Sequence, residues 1–125
     1  MGLDINFFRQ RKADYAMLPV NGDYPPLLVN TCHFRGFTAL MHWVDNSVGD
    51  VNSGELMAFD RNDVQMLQML LSRLNEANCH EEFPDDSRDY GDVYWMLVDS
   101  LKTYVNSVLT DFDFSRDHLY FRASW

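Results

Sequence analysis

Lysine is almost missing from this sequence: Lys12 and Lys102 stand beside eight arginines. These ten basic groups face 19 acidic ones, a formal charge of -9. A chain so short of positive charge is repelled by phosphate backbones, which argues against direct, nonspecific nucleic-acid binding. Cysteine is scarce as well. Cys32 and Cys79 are too few for a disulfide scaffold and point to a reducing compartment. Six Gly and four Pro are too few for a collagen-like or linker-like chain. No apolar run approaches a membrane-spanning length. Met1-Gly2-Leu3-Asp4 carries an acid and no apolar region after a basic stretch, so no secretory leader is expected. Asn6 stands where myristoylation wants Ser or Thr. These absences together predict a cytoplasmic protein with no membrane partner.

What is present is apolar mass. Hydrophobic residues make up 46% of the 125 positions, with nine Phe, six Tyr and three Trp. That is enough for one sizeable core and one domain, residues 1–125. The acidic balance then has two readings, a solvated surface or a face presented to a basic partner. The skew toward Arg suits planar, bidentate contacts with carboxylates, some of them within the protein.

Leu3 and Ile5 alternate with Asp4 and Asn6, which predicts a strand over Leu3 to Arg9. Gln10 to Pro26 carries Pro19, Asn21-Gly22 and Pro25-Pro26 and reads as an irregular excursion. Leu27 to His33 suits a short extended piece. From Phe34 the spacing becomes helical, through Phe37, Leu40, Met41 and Val44, and should stop near Asp45-Asn46-Ser47. Asp50 to Gly54 is loop chemistry, and Glu55 to Phe59 suits one short strand.

Asp60 has the character of an N-cap, with Asp63 three residues on. Val64, Leu67, Leu71 and Leu74 then share one helix face, with Met66 and Leu70 beside it and Met69 off the stripe. Glu76 to Asp92 breaks the pattern and carries Pro84, so it is expected as a loop. The longest helical pattern follows, from Tyr94 through Leu97, Val98, Leu101, Tyr104, Val105, Val108 and Leu109. Its start is expected between Asp89 and Asp92, where acids favour a helix N-terminus. After a turn over Asp111 to Asp117, His118 to Ala123 suits a final strand. The expected fold is α+β: about three helices packed on one face of a small sheet that includes the N- and C-terminal strands.

Met1-Gly2-Leu3-Asp4, Phe34-Arg35-Gly36-Phe37 leading to His42-Trp43, and the ending Phe121-Arg122-Ala123-Ser124-Trp125 resemble a family of small phage and prophage proteins. Those begin M-G-L-D-M, carry an aromatic-W-R-K element before an H-x-W helix, and end in S-W. The order of elements is similar too. Acidic Glu81 to Asp92 stands where that family has a Gly- and Phe-rich stretch before the last helix. The resemblance implies a viral or mobile-element origin and brings no activity, cofactor or catalytic residue with it.

Cys-His occurs twice, at Cys32-His33 and Cys79-His80. Zinc accepts two thiolates and two imidazoles, but adjacent residues rarely both reach one ion, and neither C-x2-C nor H-x3-H spacing is present. A cysteine nucleophile activated by a distant histidine is a second possibility, and no Gly cluster flanks either thiol. His42 beside a helical stripe reads as a satisfied boundary group. Asp50-Val51-Asn52-Ser53-Gly54 opens like a calcium loop, but Glu55 and Arg61 occupy the positions that need Gly and a bidentate Glu. No phosphate loop, H-E-x-x-H or G-x-S-x-G motif is present. No metal or cofactor is implied.

The densest feature is acidic. Glu81, Glu82, Asp85, Asp86, Asp89 and Asp92 place six carboxylates in twelve residues, offset by Arg88. One reading is a solvated loop whose last acids cap the next helix. The other is an exposed patch for an Arg- and Lys-rich partner, an ordinary interface or an imitation of DNA phosphates. In that reading the carboxylates steer association, and Phe83 and Tyr90 are the expected anchors. The function expected is a phage-type accessory protein that binds a host protein with a basic surface, for host takeover or to inhibit a defence. The alternative is a small metal- or thiol-dependent enzyme using Cys32, His33, Cys79 and His80.

Overall fold

The computed structural model describes residues 2–12 and 27–125. The expected excursion over Gln10 to Pro26 lies outside the described residues apart from its first three positions. Four strands form one antiparallel sheet: β1 (Asp4–Arg11), β2 (Leu28–Arg35), β3 (Met57–Phe59) and β4 (Asp117–Ser124), in the order β2-β1-β4-β3. Four helices accompany them: α1 (Thr38–Ser47), α2 (Arg61–Arg73), α3 (Cys79–Glu82) and α4 (Asp92–Asp111). The fold is α+β, and the strands nearest the two chain ends share the sheet as expected; they also pair with each other at its centre.

Strand alternation decides which face is buried. Ile5 and Phe7 of β1 lie opposite Ala123 and Phe121 of β4, and all four are buried. Phe59 joins them from β3, its ring 5.5 Å from Phe7 and 5.7 Å from Phe121. Every helix contributes to this same cluster, from Leu40 and Val44 of α1 to Val98 and Leu101 of α4. One hydrophobic core therefore lies between the sheet and the helices.

On β2 the register slips between Phe7 and Phe8: Phe7 pairs with Cys32 and Phe8 with Asn30, so Thr31 has no opposite number. This bulge changes the local twist, and the Thr31 hydroxyl reaches both Phe7 O (3.2 Å) and the Tyr104 hydroxyl on α4 (2.7 Å). Phe8 points away from the core cluster yet is only 6% exposed. The Arg122 guanidinium lies 4.6 Å from its ring centroid. Arg122 Nε is buried with no hydrogen-bond partner among the described residues, and the ring's π face offsets part of that loss.

Phe34 differs from expectation. It belongs to β2, and the first helix begins only at Thr38. Gly36, at φ +70°, makes the turn between them. Phe34 and Phe37 both enter the core, with rings 5.5 Å apart, so burial alone produced the helix-like spacing across the turn. The cap of α2 is as expected. Asp60 Oδ1 accepts from Asp63 N (2.8 Å), and Asp63 Oδ2 accepts from Asp60 N (3.0 Å). Burial and the neighbouring Asp60 charge together raise the Asp63 carboxyl above its usual value, against a backbone hydrogen bond that lowers it. Val64, Leu67, Leu71 and Leu74 are buried and Met69 is exposed.

Two substitutions separate core from cap in chemical unfolding. Phe121→Ala removes a ring at the centre of the core and should cost about 3–5 kcal/mol. Asp60→Ala breaks a surface capping box and should cost about 1 kcal/mol.

Candidate functional site

The acidic segment leaves α2 through an Asn-built turn. Asn75 Oδ1 accepts from Ala77 N and Asn78 N, while Asn78 Oδ1 accepts from Asn75 N (2.8 Å). These side chains satisfy backbone groups that a helix end leaves open. The chain then makes one more helical turn, α3, inside the segment expected as a loop. Cys79 is buried at its start and Phe83 follows its end with 0% exposure. The Phe83 ring meets Phe37 edge-on at 5.7 Å, and Tyr94 donates its hydroxyl to Phe83 O (2.8 Å). The expectation of Phe83 as a surface anchor is therefore corrected, since its ring is a core group that holds the segment down.

Asp85 supplies the second attachment. Helix α1 has no side-chain cap from its own N-cap residue and no acid in its first turn. Asp85 Oδ1 stands in from 46 residues away, accepting from Ala39 N (3.0 Å) and from the Thr38 hydroxyl (2.9 Å). Asp86 N returns a bond to Thr38 Oγ1 (2.8 Å). The arrangement places a carboxylate where a helix N-terminus is partially positive. Ser87 donates its hydroxyl to Asp85 Oδ2 (2.6 Å), and Asp85 N donates to the Tyr90 hydroxyl (3.3 Å). Partial burial pushes the Asp85 carboxyl upward, but hydrogen bonds from Ser87, Thr38 and Ala39 outweigh it and lower its pKa overall. Asp85 is thus a structural carboxylate.

The remaining carboxylates face solvent. Glu81, Glu82, Asp86, Asp89 and Asp92 are exposed, and Tyr90 is half-buried, its ring edge-on to Tyr94 at 4.9 Å. Trp95 Nε1 donates to Tyr90 O (3.1 Å), which holds the segment's end against α4. Three basic groups lie close to the acids: His42 Nε2 at 2.7 Å from Asp86 Oδ1, His80 at 3.7 Å from Glu81, and Arg73 at 3.8 Å from Glu82. Five exposed carboxylates outnumber the two arginines beside them, Arg73 and Arg88, so the patch stays net negative. His42, His80, Asp86, Arg88 and Tyr90 border an open depression of about 550 Å³. Arg88 sits at φ +53°, a left-handed conformation uncommon for a side-chain-bearing residue.

Two apolar side chains beside the acids run against the sequence reading, which takes Met96 with the core and does not single out Val93. Val93 and Met96, on the first turns of α4, are 68% and 60% exposed. The signal was available, because both fall off the stripe of Tyr94, Leu97, Val98 and Leu101. Three residues apart, they share one side of the helix.

The two Cys-His pairs lie on different elements, Cys32-His33 on β2 and Cys79-His80 on α3. Cys32 lies on β2, where partial burial pushes its thiol up to about 11, against a thiolate at neutral pH. Cys79 is buried, with its sulfur 3.7 Å from Glu76 O. Among the described residues, no group of three or more His, Cys, Asp or Glu could hold a metal ion. No described helix is long and apolar enough to cross a membrane. Compared with known proteins, the chain matches no family model, no curated protein and no solved structure.

Asp85→Ala removes the cap of α1 and should destabilise the protein by about 1–2 kcal/mol near neutral pH. The folded carboxyl lies below its unfolded value of about 3.9, so its charge-dependent contribution is complete above that value and fades as pH falls through the lowered one. The stability difference between wild type and Asp85→Asn should therefore shrink when unfolding is measured at about pH 3 rather than about pH 6.

Proposed function

We propose that this is a phage-type accessory protein that acts by binding a host protein with a basic surface, as a host-takeover factor or an inhibitor of a defence. The face it presents is the segment bearing Glu81, Glu82, Asp86, Asp89 and Asp92. One observation carries this reading. The exposed carboxylates sit on a segment attached to the body at Phe83, Asp85 and Tyr90, so they are held at set positions rather than on a free loop. Preorganisation lowers the ordering cost of association.

The division of labour follows from exposure. Rim carboxylates raise the encounter rate and are screened by salt. Affinity comes from side chains that lose water on contact. Val93 and Met96 now take the anchor role that sequence reasoning gave to Phe83. Tyr90 contributes the part of its ring that is not already packed. A cluster of exposed carboxylates also suits a partner whose ordinary ligand is a phosphate backbone, which is the DNA-imitating form of the same reading.

Tagged protein passed through host lysate should retain a stoichiometric partner in moderate salt. With that partner purified, changing Glu81, Glu82, Asp86 and Asp89 to amides should slow association by about tenfold at low salt and leave dissociation nearly unchanged. Val93→Ala with Met96→Ala should do the reverse. Failure to retain a partner from several host lysates, or unchanged association by the amide variant at low salt, would count against the proposal.

A further inference from the structure

At the other end of the sheet, α4, strands β1 and β2 and the turn into β4 border an open cleft of about 370 Å³. The acidic segment leads into the first turn of α4 at Asp92, whereas the cleft lies at its last turns, near Asp111. Its volume falls in the range of small-molecule sites. Val108, Phe112 and the Tyr104 ring supply apolar lining. The Thr31 hydroxyl, committed to Phe7 O, accepts from Tyr104, so this polar edge is already satisfied. Burial also pushes the Tyr104 phenol up to about 12, which keeps it protonated.

Sorting the charges in the cleft leaves an informative remainder. Three arginines and three aspartates line it. Arg11 Nε is bound to Asp117 Oδ1 at 2.6 Å. Asp113 accepts from Ser115, through both its backbone N–H and its hydroxyl. Arg116 has an interaction of its own. Arg9 and Asp111 are left, one cation and one anion, each without an ion pair among the described residues. Asp111 is also the last residue of a 20-residue helix with no basic residue in its final turn. The negative end of that helix therefore lacks a cation from its own sequence.

We propose that this cleft binds a small zwitterion of the α-amino-acid type with an apolar side chain. Arg9 takes the carboxylate, for which a guanidinium offers two parallel donors. Asp111 and the last carbonyls of α4 take the ammonium. The apolar side chain lies against Val108 and Phe112. Net charge favours this ligand class over a simple anion. A chain of charge -9 opposes the approach of a free carboxylate or phosphate, but acts on a zwitterion only through its dipole, a weaker and shorter-ranged effect. A simple cation would leave Arg9 unanswered. The site uses none of the acidic-segment residues, so it stands or falls apart from the proposed function.

The test is an amide chemical-shift titration of the full chain with phenylalanine, 3-phenylpropanoate and phenethylamine. Phenylalanine should shift the Thr31, Ser107 and Asp111 amides in a saturable way. The two analogues, each lacking one charged end, should bind about tenfold more weakly or worse. Arg9→Gln and Asp111→Asn should each weaken phenylalanine by a similar factor. Arg9 and Asp111 are exposed, so neither variant should lower the unfolding midpoint. The variant with amides at Glu81, Glu82, Asp86 and Asp89 should bind phenylalanine as wild type does. Binding of 3-phenylpropanoate as tightly as phenylalanine would overturn the zwitterion assignment. No saturable shift with phenylalanine or leucine at about 20 mM would overturn the site itself.

Discussion

Residues at least 106 positions apart meet at the centre of the sheet, where β1 and β4 pair from Asp4↔Ser124 to Arg11↔Asp117. This pairing makes the floor of the core from Ile5, Phe7, Leu119, Phe121 and Ala123. β2 and β3 then add to its two edges. Closing so long a loop costs only slowly more than closing a short one, but its return comes late, when the inner faces meet the helices. Thus α2, with its own capping box, has local support in an unfinished chain, whereas the sheet depends on both chain ends being present.

The parts of the fold legible in the sequence are those whose causes are local. The Asp60–Asp63 box, the long stripe of α4 and the alternation of β1 and β4 each announce themselves within a few residues. What was not legible depends on contacts across the fold. Phe34 keeps helical spacing with Phe37, yet it lies on a strand because two separate elements send rings into the same core. Phe83 sits among acids and reads as surface, but its depth is set by Phe37 and Tyr94. Nothing near Asp85 in sequence says that it caps α1, and nothing near Thr38 says that its helix lacks a local cap. The exposed acids were legible as a cluster; the apolar Val93 and Met96 beside them needed the α4 stripe to be followed backward as well as forward.

α4 ties the molecule's two functional candidates to one rigid element without making them one site. Its first turns carry Asp92, Val93 and Met96 beside the acidic segment, and its last turns border the Arg9 cleft. The two ends differ in how their charge is handled. The acidic segment leaves most of its carboxylates to water, and the cleft holds arginines and aspartates in equal number, Arg11 and Asp117 among them forming an ion pair. A net charge of -9 therefore describes the molecule poorly at close range, although it governs what approaches from a distance.

The cap that Asp85 provides also makes α1 a gauge of the acidic segment. The Ala39 amide is sheltered by a carboxylate that belongs to another part of the chain. Whenever the segment lifts away, that amide meets water and can exchange its proton, even if α1 stays wound. Its exchange rate therefore measures a sub-global opening distinct from whole-molecule unfolding. A partner that clamps the segment would slow the exchange of Ala39 at a distance, without touching α1.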